Sequence, residues 1–137
     1  MSRISVDEYF MELAIAASKR ATCPKKQVGC VIANKHGHLI ASGYNGVPKG
    51  FMHCIDIHCG DNPCYATHAE ANALLQCTNI NDVHKVYCTL APCFDCAKLI
   101  ANTSVREVIY LEAKRPEGLA LLESLGITVK CLTSRIK

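Results

Sequence analysis

Runs of like charge are missing from this 137-residue chain, whose 15 basic and 12 acidic side chains leave a formal net charge of only +3. The sequence therefore advertises neither a basic nucleic-acid groove nor a polybasic membrane patch. Long apolar stretches are missing too, and no segment is long enough to span a bilayer. The first 20 residues carry Arg3, Asp7, Glu8, Glu12, Lys19 and Arg20 among their apolar positions. That is the pattern of an amphipathic helix, where a secretory signal would show an uncharged core. Internal repeats and low-complexity segments are absent as well. What the chain has in excess is cysteine, with ten residues. Without a secretory signal, metal binding or buried thiols explain them better than a disulfide framework, and a cytoplasmic protein is expected. Half the residues are apolar and a fifth charged, which suits a single globular domain spanning 1–137.

Apolar residues Val6, Tyr9, Phe10, Leu13, Ala14, Ala16 and Ala17 recur at helical spacing and predict a first helix over Val6 to Arg20. Val28 to Ala33 and Leu39 to Tyr44 read as strands of a hairpin, turned by Asn34-Lys35-His36-Gly37-His38. Residues 45–67 lack periodicity and carry Gly46, Pro48, Gly50, Gly60 and Pro63, the mark of a long functional loop. A helix is expected from near His68 through Leu75, and a strand over Lys85 to Leu90. The next helix runs to Asn102, with Pro92 in its first turn, where a missing N–H costs nothing. A strand over Glu107 to Leu111, a helix over Glu117 to Leu125 closed by Gly126, and a strand over Ile127 to Leu132 complete the chain. The order α-β-β-α-β-α-β-α-β predicts an α/β fold, a five-stranded mixed sheet with helices on both faces.

The chemistry is concentrated in two clusters. His68-Ala69-Glu70 is followed, 22 residues after Glu70, by Pro92-Cys93-Phe94-Asp95-Cys96. Cys93 and Cys96 are three apart, on one face of a helix at its first turn, where the helix dipole favours the thiolates that zinc needs. His68 and Glu70 diverge on a helix flank but can both project off a helix N-terminus. Two helix starts face to face would give zinc one His and two Cys ligands, with a fourth position open for water, as catalytic sites require. Zinc lowers the pKa of such a water from about 15.7 to about 7. Glu70, not a ligand, would take the water proton and pass protons to a ring nitrogen and a departing amino group. The bland readings are a redox Cys-x-x-Cys, which leaves His-x-Glu unexplained, and a structural zinc ribbon, which needs a second Cys-x-x-Cys that the chain does not have. His-x-Glu followed by Pro-Cys-x-x-Cys is the signature of zinc-dependent nucleobase deaminases.

Three wider stretches, Gly43-Tyr44-Asn45-Gly46-Val47-Pro48, His68 through Leu75, and Thr89-Leu90-Ala91 with the cysteines through Lys98, resemble deoxycytidylate (dCMP) deaminases of bacterial and phage type. Tyr9-Phe10 in the first helix and Leu74-Leu75-Gln76-Cys77 strengthen the likeness, which extends from Tyr9 to about Val129. It implies a cytidine deaminase-like three-layer α/β/α fold and hydrolysis of dCMP to dUMP and ammonia, feeding thymidylate synthesis. It implies a cytoplasmic enzyme of a bacterium or a phage-infected cell, a homohexamer or other homo-oligomer, with dCTP and dTTP as effectors. Asn45 would bind the sugar hydroxyl, and the backbone around Ala91 would meet the base amino group; Asn45 as a plain Asn-Gly turn residue is the alternative. Asn72, two beyond Glu70, separates this pattern from tRNA adenosine deaminases. Two features depart from the family. The segment Leu111 to Pro116 is shorter and has no tyrosine, and Gln76-Cys77-Thr78-Asn79 lacks the aromatic and basic residues some phage relatives use in regulation.

Cys23, Cys54, Cys59 and Cys64 correspond to positions that suggest a second, structural zinc pinning the long loop, with His53 or His58 able to replace one ligand and free thiols as the alternative. Cys30, Cys77, Cys88 and Cys131 read as small core residues. Lys25 and Lys26 read equally as a phosphate contact or a solvated pair. Competing functions keep the chemistry on dCTP, a modified dCMP or tRNA adenosine, or dispense with catalysis altogether in a zinc-stabilised interaction module.

Overall fold

The computed structural model describes residues 2–23, 26–52 and 65–132. Cys54, Cys59, Cys64, His53, His58 and Lys25 lie outside the described residues. Within them run α1 (Val6–Ser18), β1 (Gly29–Ala33), β2 (Leu39–Tyr44), α2 (Ala69–Gln76), β3 (Lys85–Leu90), α3 (Phe94–Ala101), β4 (Glu107–Glu112), α4 (Glu117–Ser124) and β5 (Thr128–Cys131). The sheet order is β2-β1-β3-β4-β5. β1 is antiparallel to both neighbours, while β3, β4 and β5 are parallel. The mixed five-stranded sheet expected from the element order is therefore present, and so are the layers.

Alternation along the strands divides the core in two. Cys30, Ile32, Val86, Cys88 and Val108 face Ala69 and Ala73 of α2, Ala97 and Ile100 of α3, and Leu122 of α4. Val31, Ala33, Tyr87 and Ile109 face Phe10, Met11 and Ala14 of α1. Two glycines let helices lie directly on strands. A Cβ at Gly29 would collide with the Ala14 carbonyl, and one at Gly43 would come within 2.5 Å of Ala73 N and 2.7 Å of Ala69 O. Tyr87, wholly buried, donates its hydroxyl to Asp7 at 2.6 Å and so ties α1 to the sheet.

Element ends differ from the sequence reading for local reasons. α1 starts with a capping box between Ser5 and Glu8 and stops at Ser18, where Lys19 and Arg20 turn back to the carbonyls of Ala16 and Ala17. β1 starts one residue late, because the Val28 N–H goes to the Asn45 side chain at 2.7 Å. Pro92 is not in the first turn of α3: Cys93 is the N-cap, and Pro92 precedes it. The hairpin turn is as expected, with Asn34 Oδ1 accepting from the N–H groups of His36 and His38 and Gly37 at positive φ. α4 ends at Ser124, with Gly126 at φ +80° and bonds from Gly126 to Glu123 and from Ile127 to Leu122, a Schellman motif. A short 3-10 turn, Ile80–Asp82, joins α2 to β3 and carried no sequence signal. Cys30 and Cys88 are fully buried, as expected, but Cys77 is half-buried and Cys131 is exposed because β5 is the edge strand. Among the described residues no helix is long and apolar enough to cross a membrane.

Candidate active site

β2, β3 and β4 run the same way, so the connections leaving their C-terminal ends gather at one edge of the sheet. The starts of α2 and α3 meet there. His68 is the N-cap of α2 and Cys93 the N-cap of α3. The Cys93 sulfur accepts the Cys96 N–H at 3.5 Å, whereas His68 makes no side-chain cap bond. Its ring turns instead to the sulfurs, with Nδ1 3.3 Å from Cys96 Sγ and 3.6 Å from Cys93 Sγ. A tetrahedral zinc with Zn–S near 2.3 Å and Zn–N near 2.0 Å holds its nitrogen and sulfur ligands about 3.5 Å apart. The three residues expected to hold the metal thus come together at the separations zinc needs, and their ligand atoms all lie within 4.8 Å of one another.

The loop of the cysteines is held from behind. Ala91 N–H donates to the Glu112 carbonyl at 2.7 Å, and Pro92 is fully buried. A Cβ at Gly118, in the first turn of α4, would collide with the Pro92 carbonyl and come within 3.0 Å of that of Cys93. Gly118 therefore belongs to the site's foundation, and no sequence signal marks it beyond its place at a helix start.

Glu70 lies in the first turn of α2 and is only 4% exposed. Burial pushes its carboxyl up to about 7, against weaker opposing effects from a backbone hydrogen bond and from the Lys26 charge. Burial likewise raises the Cys96 thiol, followed by the repulsion of Glu70 and Cys93. A buried carboxyl beside the Cys96 thiol, itself held protonated by burial, is a donor set short of positive charge, and a divalent cation on the three ligands would supply it.

Glu70, His68 and Cys93 line a cavity of about 220 Å³ together with Asn45, Ala91 and Cys23. Asn45 is 5% exposed, with Oδ1 accepting from Val28 N–H and Nδ2 donating to the Lys26 carbonyl, both at 2.7 Å. That leaves one N–H and one lone pair for a ligand. Ala91 has given its N–H to Glu112, which leaves its carbonyl. Cys23 is also part of the lining, a position the spacing of the cysteines did not indicate. Asn72 does not line the cavity; its amide bonds the Tyr44 carbonyl at 2.8 Å and the Thr67 carbonyl at 3.4 Å.

The family model for the cytidine and deoxycytidylate deaminase zinc-binding region matches residues 4–112. The deoxycytidylate deaminase of Saccharomyces cerevisiae is 37% identical over 95% of this chain, which spans 46% of that protein. The chain thus covers about half the length of that relative. The deoxycytidylate deaminase of Mycobacterium phage D29 is 37% identical over 80% of this chain and 97% of its own length. The dCMP deaminase of cyanophage S-TIM5, crystallised with dCMP and dUMP, superposes with a TM-score of 0.81 at 31% identity, covering 95% of this chain and 99% of that one. A zinc-compatible triangle of one histidine and two cysteines, a buried acid beside it and a match across most of the chain converge on one conclusion: this chain belongs to the cytidine and deoxycytidylate deaminase family.

Proposed function

We propose that the chain hydrolyses dCMP to dUMP and ammonia, supplying dUMP for dTTP synthesis. The observation that carries this reading is the buried Glu70, which lines a small cavity together with His68 and Cys93 of the ligand triangle. Similarity to deoxycytidylate deaminases of yeast and of two phages supports it.

His68 Nδ1 and the sulfurs of Cys93 and Cys96 would hold zinc, which supplies a water acidified to about pKa 7 as the nucleophile. Glu70 then moves protons. Its carboxylate would take one proton from the attacking water and give it to the ring nitrogen beside the carbon under attack, then take the second from the hydroxyl left on that carbon and give it to the departing amino group as C–N breaks and C=O forms. The Ala91 carbonyl accepts a hydrogen bond from that amino group. Asn45, with one N–H and one lone pair left, meets the sugar hydroxyl. The balance is one water consumed, one C–N bond broken, one C=O formed and ammonia released.

The reading keeps a second, structural zinc on Cys23 with Cys54, Cys59 and Cys64, and it places the enzyme in the cytoplasm. It also keeps assembly as a homohexamer or another homo-oligomer with dCTP and dTTP as effectors. Leu75 on α2, 76% exposed, and the exposed Phe94 and Leu99 on α3 support association of copies. One observation favours dCTP as a second substrate. Lys26 and Lys114 line a groove of about 200 Å³ that continues past Leu90 from the cavity, where further phosphates would find positive charge. Ammonia release measured across dCMP, dCTP, cytidine and a tRNA anticodon stem-loop, with and without dCTP and dTTP as effectors, tests the proposal. Turnover of dCMP above the others is expected, and turnover of the stem-loop alone would overturn it.

A further inference from the structure

Asn72 has no task in the chemistry just described, yet its side chain is committed to two bonds. It is half-buried on α2, two residues past Glu70, with its amide turned away from the cavity and onto β2. Its Nδ2 donates to the Tyr44 carbonyl at 2.8 Å and lies 3.4 Å from the Thr67 carbonyl. The Tyr44 carbonyl belongs to the peptide unit that leads into Asn45, and the Thr67 carbonyl to the one that leads into His68. One amide therefore clasps the two chain segments that deliver Asn45 and His68 to the lining of the cavity. The segments also pair with each other through Gly46 and Thr67, by reciprocal bonds of 3.0 and 2.8 Å. Gly43 permits the clasp, because only a residue without a Cβ lets α2 approach β2 this closely.

We infer that Asn72 is a positioning residue: through the Tyr44 carbonyl it sets the separation between Asn45 and the His68–Glu70 end, and so the seat of the substrate base. The inference rests on the proposed placement of the base between Asn45 and Glu70. An amide is suited to the task because it offers two N–H groups to two carbonyls, whereas aspartate of the same shape offers none and would turn a carboxylate on both. Misplacement of reacting groups by about 1 Å costs up to about 10²-fold in rate.

The test is a cycle of Asn72→Ala, Asn45→Ala and the double substitution in the full chain, with Asn72→Asp as the same-shape control. Each is assayed for dCMP deamination, zinc content and melting temperature. Asn72→Asp and Asn72→Ala should keep zinc and melt as folded proteins while kcat/KM falls about tenfold or more. The pH profile of kcat should keep its shape, because Glu70 is untouched. The double variant should lose no more than Asn45→Ala alone, since residues acting through one another are not additive. Additive losses, activity within twofold of wild type, or joint loss of zinc and fold in both Asn72 variants would overturn the inference. Wild-type turnover in the same assay reports separately on the dCMP reading.

Discussion

In the proposed reaction Glu70 is the residue on which the chemistry turns, and its burial is what would make it useful. A carboxyl with a pKa near 7 both accepts and returns a proton at neutral pH, while one in the ordinary range would give up its proton too readily to act as an acid. Glu70→Gln keeps the shape and the N-terminal turn of α2 but cannot move protons. The variant should fold, hold zinc and lose activity by about 10²–10⁴-fold. Full activity in a folded, zinc-loaded protein would return the interaction-module reading to first place. Asp7 makes a different, structural prediction. Burial acts to raise its pKa, but the Tyr87 hydroxyl, Lys130 at 3.0 Å and Lys85 together hold it below the usual carboxylate range. A folded pKa below the unfolded value near 3.9 means that this stabilisation is complete above the ordinary range and is lost as pH falls through the lowered pKa. Melting curves of wild type and Asp7→Asn from pH 7 downward should therefore converge in acid, below about pH 4. Curves that stay parallel would show that the carboxylate charge contributes nothing.

Elements were more legible than their ends. Strand and helix periods along the chain located every described strand and α-helix, though not the 3-10 turn at Ile80–Asp82, because apolar spacing records the face an element buries. The ends depend on single side chains from distant sequence. Val28 leaves β1 because Asn45, 17 residues away, takes its N–H. The zinc ligands and Glu70 were readable because their spacing follows from helix geometry. Asn72 was recognisable as part of a family pattern, but its clasp on Tyr44 was not, since a bond across 28 residues leaves no local mark. Gly118 was invisible for the same reason, and it makes a prediction at this scale. Gly118→Ala puts a methyl against the carbonyls of Pro92 and Cys93, so α4 and the cysteine loop must part. Overpacking of this kind costs about 1–3 kcal/mol. Disturbing a ligand's support typically weakens metal affinity about 10–100-fold. Zinc release to a chelator should accelerate accordingly, and an unchanged rate would show that the loop shifts without disturbing Cys93.

For the whole molecule, the ligand triangle, Glu70 and the cavity among the described residues gather at one end of the sheet. The antiparallel β1 sits between β2 and β3, and so the parallel crossover through α2 brings His68 and Glu70 over the same edge as the cysteines. α1 covers the opposite face and takes no part in the cavity. Metal analysis of carefully prepared protein should return close to two zinc ions per chain. A value near one would remove the structural zinc and leave Cys23 as an ordinary wall of the catalytic cavity. Chelation should abolish deamination, and adding zinc back should restore it, provided the catalytic ligands are as described.

His68 and Cys93 have a consequence beyond ligation, because they are also the residues at which two helices begin. An N-cap side chain normally secures the free N–H groups of a first turn, and His68 forgoes that duty to face the sulfurs. The α2 start is thus fastened from outside the helix, and its order is tied to whatever occupies the ligand triangle. Amide hydrogen exchange across Ala69 to Asn72 should quicken when zinc is withdrawn, while the middle of β3 stays protected. The loading of the site would then be readable in the breathing of a single helical turn, without any substrate being present.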